Sequence, residues 1–136
     1  MNDSATQAVT GSKKSILVVD DSASVAELIS EMLLSFGYHP EICLTVKEAL
    51  AKFEANKYDL VITDYTMPGM NGVDFAKLLK ESAPSQIVLL ITGSNFSMTE
   101  AASRSMPVNA TLQKPFSVQE FQEAVANLIG DAKAHA

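Results

Sequence analysis

Two adjacent carboxylates, Asp20 and Asp21, follow directly on the apolar run Ile16-Leu17-Val18-Val19. A third, Asp64, follows Leu60-Val61-Ile62-Thr63. A hydroxyl, Thr92, stands after Ile87-Val88-Leu89-Leu90-Ile91 and before Gly93. An amine, Lys114, stands after Ala110-Thr111-Leu112-Gln113 and before Pro115. Brought together, the carboxylates repel. At about 5 Å and an effective dielectric near 20, each pair costs roughly 3 kcal/mol. One amine cannot balance three such charges, so a hard divalent cation is the natural partner. Mg²⁺ is typically held by one or two carboxylates together with waters and phosphate oxygens. Lys114 and Thr92 then stand ready for an anion. This set suits phosphoryl transfer, in which positioning and charge neutralisation supply most of the catalysis. A carboxylate can itself be the nucleophile, which gives an aspartyl-phosphate.

The elements that must position these residues alternate along the chain. Ile16–Val19 is short, β-branched and unbroken, as in a strand buried on both faces. Val25, Leu28, Ile29, Met32, Leu33 and Phe36 recur at helical spacing, and Gly37 stops that helix. A weaker strand is expected over 41–44, with Pro40 marking an edge position. Val46, Ala49, Leu50 and Phe53 give a second helix, and 60–63 a second strong strand. Met67-Pro68-Gly69 reads as a turn. A third helix starts near Gly72, the most apolar strand spans 87–91, and a short, weak fourth helix is expected over 97–105. A fifth strand over 110–113 and a fifth helix over 118–129, ended by Gly130, complete the pattern.

Five βα repeats imply a doubly wound α/β fold of flavodoxin-like type, with a parallel sheet, helices on both faces and right-handed crossovers. The apolar strands belong in the centre and the Pro40 strand at the edge, which gives the order 2-1-3-4-5. Ligands of such sheets bind beyond the carboxyl ends of the strands, where the winding reverses. Here that crevice lies between the first and third strands, where all five polar side chains converge.

Composition bounds the rest. A chain of 136 residues, 47% hydrophobic and 19% charged, suits one globular domain without disulfide or metal staples. We expect the domain over 14–130, a flexible extension over 1–13 and a short tail over 131–136. The net charge of −6 argues against broad nucleic-acid binding. No apolar run nears the roughly 18 residues of a membrane span, and the start has no signal-peptide pattern. The expected location is cytoplasmic, consistent with the single Cys43, which reads as a small core residue. His39 and His135 are isolated and read as ordinary surface or loop histidines.

VVDDS, DYTMPGMNG, TG after the fourth strand and KPF after the fifth together resemble the receiver domain of two-component response regulators, over about residues 14–130. The resemblance implies a phosphorylatable switch, of the stand-alone type. Asp64 is then the phosphoacceptor, served by a sensor histidine kinase or a histidine phosphotransfer protein. Asp21, Asp64 and the main-chain carbonyl of Thr66 would hold Mg²⁺, with Asp20 acting through water on the metal. Lys114 would contact the phosphoryl group, Thr92 would swing toward it, and Gly93 would let it approach the backbone. The Lys114-Pro115 bond is expected in cis. Output would pass to another protein through the fourth helix, fifth strand and fifth helix, since only six residues follow Gly130. One departure stands out: where many receivers carry an aromatic three residues before the lysine, this chain has Thr111. A threonine cannot fill an aromatic-sized cavity, so the aromatic half of the usual switch is not expected here.

Each residue alone has an ordinary reading. Asp21 or Ser22 could cap the first helix, Asp64 could be a turn residue, Thr92 could bond its own backbone and Lys114 could be a solvated charge. These readings fail together, because four of them would have to coincide on one rim. An alternative is a small-molecule phosphatase working through an aspartyl-phosphate. It needs a second acid two residues after the nucleophile, where this chain has Thr66. A nucleotide-binding domain would need glycines after the first strand, where the chain reads DDSASVAEL.

Overall fold

The computed structural model describes residues 13–93 and 106–131. Its strands are β1 (Ser15–Val19), β2 (His39–Cys43), β3 (Leu60–Asp64), β4 (Val88–Thr92) and β5 (Ala110–Gln113). Its helices, among the described residues, are α1 (Ala23–Phe36), α2 (Val46–Lys52), α3 (Gly72–Ser82) and α4 (Val118–Ile129). The helix expected over 97–105 lies outside the described residues. All four pairings are parallel, and the sheet runs β2-β1-β3-β4-β5, as the apolar character of the strands predicts.

Side chains alternate across this sheet with the period of two that a pleated strand imposes. Ile16, Val18, Leu60, Ile62, Leu89 and Ile91 face α1 and α4, where Ala26, Ile29, Leu33, Phe121 and Val125 complete a buried cluster. Leu17, Val19, Val61 and Val88 face the other way, against Ala49 of α2 and Phe75, Ala76 and Leu79 of α3. Cys43 joins this second cluster and is fully buried, as expected. With both faces covered, the central strands carry apolar side chains until close to their carboxyl ends. Those ends are where Asp20, Asp64 and Thr92 lie. No described helix is long and apolar enough to cross a membrane.

Two strands are displaced from the sequence reading, and β1 and β3 are each one residue longer, at Ser15 and at Asp64. The second strand runs over His39–Cys43, not 41–44, because His39 N–H bonds Lys14 O at 2.8 Å and Pro40 pairs with Ile16 at an edge that does not need its missing donor. Leu44 leaves the strand because its N–H is taken by the Glu48 side chain at 2.9 Å, while Thr45 caps α2. The fourth strand is shifted by one residue and includes Thr92, which pairs in register with Gln113 of β5. The predicted stops hold: Gly37 ends α1 with φ of 100°, and Gly69 has φ of 84° in the turn after β3.

Candidate active site

The acidic rim is built by three short segments. β1 delivers Asp20 into the end of the sheet, where its N–H bonds Cys43 O of the edge strand at 3.2 Å. Asp20 is 3% exposed. Its Oδ1 accepts the Ser22 N–H at 2.9 Å, and Ser22, not Asp21, caps α1 through its hydroxyl. Asp21 is left exposed and free to face the crevice. β3 carries Asp64 as its last residue, held by Tyr65 N–H donating to Ile91 O at 2.8 Å.

These placements bring one carboxylate oxygen from each of Asp20, Asp21 and Asp64 within 4.8 Å of one another. Lys114 reaches across from the end of β5, its Nζ 3.1 Å from Asp64 Oδ1. The Lys114 N–H donates to Thr92 O at 2.8 Å, so the two residues sit on adjoining strand ends. The Lys114-Pro115 bond is cis, as expected. Four of the predicted side chains thus meet directly, and buried Thr92 joins them through the backbone. Thr66 lies exposed in the loop two residues past Asp64. Thr111, on β5, is also exposed.

Electrostatics single out Asp20. Burial pushes its carboxyl above the ordinary carboxylate range, the Ser22 N–H opposes that shift, and the charge of Asp64 reinforces it. Its Oδ2 is buried without a hydrogen-bond partner. A buried lone pair with no donor, facing two further carboxylates, fits a hard cation with oxygen ligands. The residues present therefore fit Mg²⁺.

One contributor escaped the sequence reading. Thr63 is fully buried within β3, and its hydroxyl donates to Asp64 O at 3.1 Å. The signal was a hydroxyl in an otherwise apolar strand, one residue before the acid.

Residues 16–126 match the response regulator receiver domain family. The chain is 28% identical over 116 residues to PhoP, the alkaline phosphatase synthesis transcriptional regulatory protein of Bacillus subtilis, covering 85% of this chain and 48% of PhoP. It is 31% identical to the DNA-binding response regulator MtrA of Mycobacterium tuberculosis, covering 80% of this chain and 47% of MtrA. The chain thus spans about half the length of these curated relatives. Among solved structures, the response regulator protein TrrA of Thermotoga maritima, in complex with Mg²⁺-BeF, is 34% identical with a TM-score of 0.75, covering 85% of this chain and 98% of that one. The family match takes in all five polar side chains and most of the chain, and on that ground the chain belongs to the family of response regulator receiver domains.

Proposed function

We propose that this domain is a phosphorylatable signalling switch that accepts a phosphoryl group on Asp64 from a phosphohistidine. The supporting observation is the meeting of Asp64 with two other carboxylates inside 4.8 Å and with Lys114 at 3.1 Å. An Asp64 carboxylate oxygen attacks phosphorus. The new O–P bond forms as the P–N bond to the donor imidazole breaks, and the bonding pair returns to that nitrogen. The imidazole leaves neutral when its other nitrogen carries a proton. Lys114, now paired with Asp64, transfers its contact to a phosphoryl oxygen once Asp64 is esterified. Thr92 offers its hydroxyl to another oxygen from the neighbouring strand end.

Asp20, Asp21, Asp64 and the Thr66 carbonyl would hold Mg²⁺, which when bound neutralises charge on the phosphoryl oxygens. Catalysis is confined to the domain's own phosphorylation and dephosphorylation. The phosphatase alternative lacks its second acid, since Thr66 stands at that place.

The same reading places the receiver unit at 14–130. Lys14 Nζ bonds Ile129 O, and the Tyr38 hydroxyl bonds Gly130 O at 2.7 Å, which ties the two ends of that span together. The donor is a sensor histidine kinase or a histidine phosphotransfer protein. The target is a protein bound on the face of the expected helix over 97–105, β5 and α4. Exposed Thr111 on β5 and the charge of −6 favour a protein over a nucleic-acid target for this domain. A cytoplasmic location suits the unpaired Cys43.

Incubation with acetyl phosphate and Mg²⁺ tests the assignment. One acid-stable, base-labile phosphoryl group per chain is expected, absent in Asp64→Asn. Many turnovers of phosphoester without accumulated label would instead point to a phosphatase.

A further inference from the structure

We infer that Gly72, the first residue of α3, is a positioning residue for this chemistry: its lack of a side chain lets the helix seat directly against the Asp64 peptide. The inference rests on the reading of Asp64 as acceptor. A Cβ at Gly72 would lie 2.4 Å from Asp64 O, 3.1 Å from Asp64 C and 2.7 Å from Leu90 Cδ1. The leucine tip can rotate away, but the carbonyl cannot. Asp64 O already accepts the Thr63 hydroxyl at 3.1 Å, and the adjoining Tyr65 N–H is bound to Ile91 O at 2.8 Å. Gly72 N–H closes the loop by donating to Tyr65 O at 2.8 Å.

The glycine serves space here, not backbone angle. Gly69 shows the opposite case, with φ of 84° and nothing within 4 Å of where a Cβ would stand. Gly72 sits in a helix, where glycine is a poor former. Its presence there is explained by the contact. An added methyl must move either α3 or the end of β3. The first carries the loop with Thr66, and the second carries Asp64 itself. The second movement displaces one of the three clustered carboxylates, and the first displaces the Thr66 carbonyl that would complete the Mg²⁺ ligands.

Gly72→Ala tests this, with Asn71→Ala as the control. Asn71 caps the same helix by accepting the Asp74 N–H at 2.9 Å, so its loss weakens α3 without adding an atom beside Asp64. The readouts are Mg²⁺ affinity by calorimetry and the rate of labelling by acetyl phosphate. Gly72→Ala should bind Mg²⁺ about 10-fold or more weakly and label about 10- to 100-fold more slowly, as small misplacements of reacting groups do. Asn71→Ala should stay near wild type. Adding Leu90→Val removes the leucine tip but not the carbonyl, so the double variant should remain impaired. Four results overturn the inference: wild-type values in Gly72→Ala, an equal loss in Asn71→Ala, restoration by Leu90→Val, or a Gly72→Ala chain that does not fold even with a stabilising osmolyte. A wild-type chain that binds Mg²⁺ but takes no label sinks the acceptor reading instead, while the Mg²⁺ comparison still decides the role of Gly72.

Discussion

At Asp20, burial and like charge act together. The carboxylate is 3% exposed, one oxygen has no donor, and two further carboxylates lie within 4.8 Å. Asp20→Asn keeps an Oδ1 for the Ser22 N–H and removes a charge. Without divalent ions it should raise stability by about 1–3 kcal/mol, and in excess Mg²⁺ the advantage should shrink or reverse. Urea unfolding with EDTA and with Mg²⁺ checks this. A second residue-scale case lies away from the site. The Tyr58 hydroxyl donates to Glu41 Oε1 at 2.7 Å and holds that carboxyl below its ordinary value of 4.5, helped by Lys52. A carboxyl depressed on folding adds stability that is complete above its ordinary value and is lost as pH falls through the depressed one. Discounted for the 39% exposure of the Glu41 side chain, the bond contributes about 1 kcal/mol. The stability margin of wild type over Tyr58→Phe should therefore be complete above pH 4.5 and narrow as pH falls below it. A margin unchanged at pH 3 would mean that Glu41 does not carry it.

At the scale of elements, the termini matter most, because caps set where each helix begins relative to the rim. Ser117 starts α4 with a full capping box: its hydroxyl accepts the Glu120 N–H at 3.0 Å while Glu120 accepts the Ser117 N–H at 2.8 Å. This start fixes the short path from Lys114 into the helix that packs Phe121 and Val125 into the core. Ser117→Ala should cost about 1 kcal/mol in denaturant unfolding and leave Mg²⁺ binding unchanged. A loss of Mg²⁺ affinity would show that the cap also steers Lys114. The edge strand β2 tolerates Pro40 because only one of its sides is paired.

For the molecule as a whole, the acidic site exists only when the sheet does. β1 and β3 are neighbours in space but are separated in sequence by α1, β2 and α2. An ion that binds the assembled rim and not the unfolded chain must stabilise the fold by mass action. At a Mg²⁺ concentration 100 times its Kd, the gain is about 2.7 kcal/mol. The melting temperature should rise with Mg²⁺, and the rise should vanish in Asp64→Asn. A wild-type melting curve indifferent to Mg²⁺ would remove the metal from the account.

Much of this was legible in the residues themselves. Unbroken apolar strands must be covered on both faces, so β1, β3 and β4 had to be central. Pro40 marked the edge, and polar groups following such strands could only emerge at their ends. That pattern alone placed Asp20, Asp21, Asp64, Thr92 and Lys114 on one rim. The sequence could not say that Ser22 rather than Asp21 caps α1, since both types cap well. Nor could it show that β2 starts at His39, which depends on a bond to Lys14 O. The Thr63 hydroxyl on the Asp64 carbonyl and the bare approach of Gly72 were equally hidden. Periodicity reports which face a residue takes. How closely two main chains come together is settled only when separate elements pack, because that distance depends on every side chain between them.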